Sequence, residues 1–434
     1  FGHVAISGIS EVNGGNNNDT ITVSSVSNIA NAINYVGGHG TDTLVVNLTL
    51  AQAQDTVLLG HLSMLAASNG NGALNYGPFN FTSTTFENLR VQIEIGNTYV
   101  PINPASLLVG TANHQDGNHS PVLSAPANIA TTILGLGGDD TIVGSTKDDV
   151  LVGGTGMDTM DGGNGSDTYL VAPGDSPAAY GDSYNDTGAA GYDRIVATGN
   201  NTQIVIKSLS GIEEINGAGF TGVNIAGATS NHTVFNLTNT KLVGINEVQG
   251  GGATSSDTFY TSSNSDAAGG QAYRSGSGND TFHFGSQDTR LFVSSTDTGF
   301  DSFQGNQSGV THTILAEGNG TNIGISGTYG GTNSVDVVDG NGFDHVRIIG
   351  SSSVHNVWDF SDTQLIDIEA IVGGDNSAND KITGSAGNDV IYGLGGNDTL
   401  IGGAGDDGPS WGPRDKNPFR GGGHDVSFSG AGKK

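Results

Sequence analysis

Residues 135–170 read GLGGDDTIV GSTKDDVLV GGTGMDTMD GGNGSDTYL, four nonapeptide units without a gap. Each unit opens on glycine, carries an aspartate at its sixth place and sets a large apolar residue at its eighth: Ile142, Leu151, Met160 and Tyr169. The triplets TIV, VLV and TYL suit strands of about three residues, and the glycine-rich halves suit turns that need positive φ. A turn followed by a short strand reverses the chain, so two units complete one coil. Turns stacked on the same side are therefore two units apart. Asp140 then faces Asp158, and Asp149 faces Asp167. Asp158 and Asp167, one unit apart, lie on opposite edges. The eighth-place residues point inward and stack into a thin core.

The unit returns near the C-terminus as GSAGNDVIY at 384, GLGGNDTLI at 393 and GGAGDD at 402, preceded by a looser copy ending ANDKIT. The same spacing pairs Asp380 with Asp398 and Asp389 with Asp407, and turns Ile382, Ile391 and Leu400 inward. Isolated copies stand elsewhere: GGHGTDTLV at 37, SGSGNDTFH at 275, and half-copies GYDRI at 191, GFDSF at 299 and GFDHV at 342.

Calcium takes six to eight oxygens, from carboxylates and backbone carbonyls, at about 2.3–2.6 Å. A glycine turn converges several carbonyls because no Cβ obstructs it, and the aspartate at its end adds charged oxygen. One turn is too few donors, so two stacked turns make a site. Four such sites are predicted, two per block. Their carboxylates are Asp140, Asp158, Asp149, Asp167, Asp380, Asp398, Asp389 and Asp407. Their carbonyls come from Gly135, Gly137, Gly153, Gly156, Gly162 and Gly165 in the first block, and from Gly393, Gly396, Gly402 and Gly405 in the second. Lys147 stands where the fourth-place glycine belongs, so Asp149/Asp167 is expected to be the weakest site and Asp158→Ala to cost more calcium affinity than Asp167→Ala.

Composition supports cations as partners. The 434 residues hold 72 glycines, 43 acidic against 14 basic side chains and a formal charge of −29. Nucleic acid is excluded as a partner by that charge. There is no cysteine, hence no disulfide, thiolate metal site or cysteine nucleophile. No stretch approaches the roughly 18 apolar residues of a membrane span. The chain begins at Phe1 without a signal-like segment and reads as a processed form or a fragment.

A second repeat is longer. HTVFNLTNTKLVGINEVQ from His232 and HNVWDFSDTQLIDIEAIV from His355 are related by a constant offset, and their apolar positions coincide. The expected architecture is all-β, a parallel β-roll or β-solenoid with calcium-binding turns, β-rich spacers and one short helical insertion near 50–68. Its parts are an N-terminal β-rich segment (1–110), a linker (111–130), a first roll block (131–175), a spacer (176–370), a second block (371–407) and an atypical basic tail (408–434). HQDGNH at 114–119 reads as polar linker rather than a transition-metal site. Phe282, Phe284 and Tyr260 read as core rather than a sugar platform.

The tandem units resemble the hemolysin-type calcium-binding repeats of the RTX (repeats-in-toxin) proteins, and the longer repeats resemble spacers of large RTX surface proteins. The resemblance implies a parallel β-roll, several calcium ions held by the eight aspartates above, and export from a Gram-negative cell by type I secretion. It extends to Asp42 and Asp280 only in part, since neither has an aspartate one coil away in a second good turn. The family holds surface-layer proteins, adhesins, proteases, lipases and toxins. No HExxH occurs, and the single GxSxG match, GPSWG at 408–412, falls in the atypical tail, so the expectation is a non-enzymatic structural protein of the cell surface, an S-layer or filament, whose partners are calcium and copies of itself. Cell-surface polysaccharide is a further candidate partner. The alternatives are an adhesin or matrix protein, and the calcium-binding region of a secreted enzyme or toxin whose active domain lies outside this chain.

Overall fold

The structure, a computed structural model, describes residues 11–407 apart from 25–32, 54, 77–78, 96–97, 103, 105, 111–121, 230–231, 253–255, 306–307 and 375–378, together with 426–428. The HQDGNH stretch and most of the 408–434 tail lie outside these. The fold is an all-β parallel solenoid whose longest helix is Thr56–Ala67. The chain divides into two compact units, Phe1–Asp175 with Asp186–Asp193, and Ser176–Asn185 with Arg194–Lys434.

In the first unit the tandem block is a two-sided roll. Thr132–Gly137, Val150–Thr155 and Thr168–Val171 stack in parallel on one side, and Val122–Ser124, Thr141–Val143 and Thr159–Asp161 on the other. The register sets Thr141 against Thr159 and Val150 against Thr168, each pair one coil apart. Ile142 and Met160 from one side and Leu151 and Tyr169 from the other are buried between the two sheets. The described end of the expected linker, 122–130, is instead a coil of this roll: Val122–Ser124 pairs with Thr141–Val143, and Thr131 N–H reaches the Asp149 carboxylate. A pair of prolines reads as a linker, yet Pro126 merely makes the corner, accepting from Ile129 N–H.

The N-terminal part of this unit carries the helical insertion, as Leu50–Ala53 and Thr56–Ala67. Asp55 caps the longer helix, its carboxylate accepting from Val57 and Leu58 N–H. Leu58, Leu62 and Leu65 are buried along one face. The alternating stretch at 86–101 becomes the strand Asn88–Ile95 and its antiparallel partner Thr98–Ile102.

The second unit contains longer coils. From Val234 one turn of the solenoid takes three strands, Val234–Asn236, Lys241–Val243 and Glu247–Gln249, before Thr258–Tyr260 pairs back onto the first. The longer sequence repeat falls on this pattern: Val357–Asp359, Gln364–Ile366, Ala370–Val372 and Lys381–Thr383 occupy the matching places. The wider cross-section admits aromatic rings. Phe235, Phe259 and Phe282 stack at centroid distances of 4.8 and 4.6 Å, and Phe303 continues the column. Phe282 and Phe284 are core; Tyr260 is half-buried and stacks on His283.

The last coils return to the two-unit form, with Lys381–Thr383 against Thr399–Ile401. Ile382 and Ile391 are buried, but Leu400, expected inside, is half-buried. Its strand neighbours are Ile382 on one side and Ser427 on the other, so the apolar file stops there.

Candidate metal centres in the turns

The aspartates of stacked turns are joined by one recurring hydrogen bond. Asp140 N–H donates to Asp158 Oδ1 at 2.8 Å and Asp149 N–H to Asp167 Oδ1 at 2.6 Å. In the second block Asp380 N–H donates to Asp398 Oδ1 at 2.7 Å and Asp389 N–H to Asp407 Oδ1 at 3.1 Å. These are the four pairs set by the two-unit spacing. All eight aspartates are buried except Asp407, which is half-buried in the last coil.

Oδ1 is thereby used on the backbone, and Oδ2 turns inward to the first glycine of its own turn. A Cβ on Gly135 would meet the Gly153 carbonyl oxygen and lie 2.6 Å from Asp140 Oδ2. On Gly384 it would meet the Gly402 carbonyl and lie 2.7 Å from Asp389 Oδ2. The space that glycine leaves is thus lined by a carboxylate oxygen and a carbonyl oxygen of the next turn. Asp167 Oδ2 and Asp407 Oδ2 are buried with no hydrogen-bond donor. A buried carboxylate oxygen without a donor is costly, and an all-oxygen cradle around it suits a hard divalent ion. The residues present therefore fit calcium, whose charge would offset the stacked carboxylates.

The turns are not equivalent, and the reason differs from the one read in sequence. Neither Ser145 nor Lys147 takes a positive φ, so Lys147 bears no left-handed strain. The GSTKDD turn follows another path: Ser145 N–H donates to Asp149 Oδ2 at 2.5 Å, and Ser145 Oγ accepts from Lys147 N–H. GSAGND does the same, with Ser385 N–H at 2.6 Å and Ser385 Oγ at 2.9 Å from Asp389 Oδ2. Serine at the second place supplies the donors that an ion would replace. Asp380 is closed likewise by Gly374 N–H at 2.8 Å. In the Asp140/Asp158 pair the second places are Leu136 and Gly154, both at positive φ, and neither turn has that serine. Ser385→Gly should strengthen calcium binding at Asp389/Asp407 by about tenfold, or 1.4 kcal/mol, since glycine permits the positive φ that Gly403 takes in the next coil. Calorimetry measures this, and an unchanged affinity would refute the closure.

Among the glycines one correction is needed. Gly137 is the third residue of its turn. Gly138, at φ +104°, stacks with Gly156, whose Cβ would strike the Gly138 carbonyl. Leu136 and Leu394 fill second places at φ +83° and +67°. For a non-glycine residue this costs roughly 1–2 kcal/mol, a strain each site must offset.

Two features escaped the sequence reading. The fifth place also forms a ladder, running the other way: Asp139 accepts from Met157 N–H, Asp148 from Ser166 N–H and Asn388 from Asp406 N–H. The doublets DD and ND were its signal. The aspartate bond also outlives the tandem blocks at other spacings. Asp19 N–H donates to Asp42 Oδ1, and both Oδ2 atoms are buried without a donor. Asp257 N–H donates to Asp280, and Asp280 N–H to Asp301. Asp42 and Asp280 thus have stacked partners, at 23 positions rather than two units.

Burial pushes the Asp167 and Asp280 carboxyls up to about 7, with neighbouring aspartate charges adding to the rise. A folded-state pKa above the unfolded value means that the metal-free fold loses stability as pH rises from about 4 to 7. Calcium requires the ionised form, so its affinity should fall as pH drops below about 7. For Asp280, in the wide coils, the urea midpoint without metal should be higher at about pH 5 than at about pH 7.5, and calcium affinity at the turns lower at the acid pH; parallel trends would contradict these shifts.

A family model for the RTX calcium-binding nonapeptide repeat matches the chain in four copies, over residues 134–169 and 375–408. No curated protein gives a significant match. The solenoid and its oxygen-lined turns define a cation-binding β-roll, and the matched segments of that roll are RTX calcium-binding nonapeptide repeats. RTX nonapeptide repeats bind calcium, and proteins that carry them are typically secreted from Gram-negative bacteria. No described helix is long and apolar enough to cross a membrane.

Proposed function

We propose that this chain is a non-enzymatic, calcium-dependent structural protein of the cell surface, secreted by a type I system and assembling with copies of itself into an S-layer or filament. The observation that carries the reading is the column of buried carboxylate oxygens aimed into glycine cradles. Extracellular calcium modules work at a Kd of about 10⁻⁴–10⁻³ M, so such turns stay empty in cytosol and fill outside. The tandem blocks therefore stay unfolded inside and become rigid only after release. Both units devote their strands to stacked coils, the build of a scaffold. Negative-stain microscopy of the purified chain tests the assembly: sheets or filaments should form with millimolar calcium and disperse in EGTA. A monodisperse monomer at millimolar calcium would overturn it.

A further inference from the structure

Beyond the last nonapeptide of the first block, the segment Asp186–Asp193 (DTGAAGYD) lies on the turn 162–167. Asp167 N–H donates to Asp193 Oδ1 at 2.6 Å. Ala189 N–H donates to Asn164 Oδ1 and Tyr192 N–H to Ser166 Oγ. Gly188 and Gly191 pass so close over the carbonyls of Gly163 and Gly165 that neither has room for a Cβ. This segment therefore repeats the stacking of a nonapeptide turn, with Gly188, Gly191 and Asp193 at its first, fourth and sixth places. It differs in one respect: an acid, Asp186, stands two residues before its first glycine, Gly188.

We propose that Asp167, Asp186 and Asp193 form a calcium site that closes the end of the first block, built from three carboxylates rather than two. One oxygen from each lies within 4.8 Å of the others. Asp167 is fully buried, and its Oδ2 has no hydrogen-bond donor although Oδ1 does. Asp193 is also buried and Asp186 half-buried. An all-oxygen set selects a hard cation over zinc or copper. Three charges instead of two should make it the tightest site in the block, because ligand charge tunes calcium affinity. The inference stands whether or not the protein assembles on a surface.

Terbium, a calcium mimic excited through tyrosine, reports on the site, because Tyr169 feels the charges of all three carboxylates. With the full chain, the first terbium to bind should give sensitised emission. Asp186→Asn should weaken that step at least tenfold and lower the calcium stoichiometry by one, with the far-UV spectrum at saturating calcium unchanged. Identical titrations of variant and wild type would overturn the proposal. A wild-type measurement guards against a variant that does not fold. Crystals soaked in terbium should show an anomalous peak among the three carboxylates; filled nonapeptide turns with no peak there would refute the site while leaving the calcium blocks intact.

Discussion

Stripping calcium with EGTA should unfold the two tandem blocks while the wide coils of the second unit keep their structure. Each nonapeptide unit of a block buries one or two large apolar residues, such as Ile382, or Leu151 with Val152. Each contributes roughly 1.5–3 kcal/mol, against about 1–2 kcal/mol of backbone entropy for every residue ordered. Ladder hydrogen bonds add only about 0.5–1.5 kcal/mol each, and the stacked carboxylates repel one another. Without an ion the blocks have no net drive to form. The coils from 234 to 304 are different, because they bury the stacked column of Phe235, Phe259, Phe282 and Phe303, whose apolar contacts need no ion. Hydrogen exchange read by mass spectrometry separates the two cases. In EGTA, peptides from 135–170 and 384–407 should lose protection and those from 234–304 retain it. Calcium at about 10⁻⁴–10⁻³ M should restore the first set. Equal protection in both states would remove the basis for calcium-dependent folding.

What the sequence disclosed follows from which features have a fixed spacing. The two-unit stacking was legible because glycine and aspartate recur at invariant places, so Asp140 and Asp158 could be paired by counting. The longer repeat from His232 and His355 was legible for the same reason and lands on matching strands. The helix showed itself by apolar residues at helical spacing over 50–68, Gly60 notwithstanding. Stacking at the wider spacings was not legible, because a longer coil changes the count without changing the geometry: Asp19 meets Asp42 much as Asp140 meets Asp158. Nor was the choice between an open and a closed turn. Lysine at 147 drew attention through its charge, whereas Ser145 decides the path by offering a backbone N–H and a hydroxyl to its own turn. Serine is a tolerated neighbour of glycine in any turn, so its presence carried no warning. Asp186 was hidden because it stands two residues outside the nine-residue pattern, before Gly188.

Asp167→Ala should be the most damaging single aspartate change in the first block, reversing the order expected from the repeat alone. From the sequence, Asp158 belonged to the better site and Asp167 to the one disfavoured by Lys147. In the fold Asp167 sits between two neighbours: it accepts from Asp149 N–H on one side, and its own N–H reaches Asp193 on the other. Its carboxylate would serve both the Asp149/Asp167 turn pair and the cluster with Asp186 and Asp193. A site at a hundred times its Kd contributes about 2.7 kcal/mol, so removing a carboxylate shared by two sites should cost about 5 kcal/mol at saturating calcium. Asp158→Ala, which breaks the pair with Asp140, should cost about half as much. Each alanine also leaves an N–H buried without its carboxylate acceptor, that of Asp149 for 167 and that of Asp140 for 158, a further loss of about 1–3 kcal/mol that does not change the ranking. Urea midpoints at saturating calcium give the ranking, and calorimetric stoichiometry gives the number of ions lost. A midpoint for Asp167→Ala at or above that of Asp158→Ala would show that the carboxylate serves a single ion, and the count from sequence would stand.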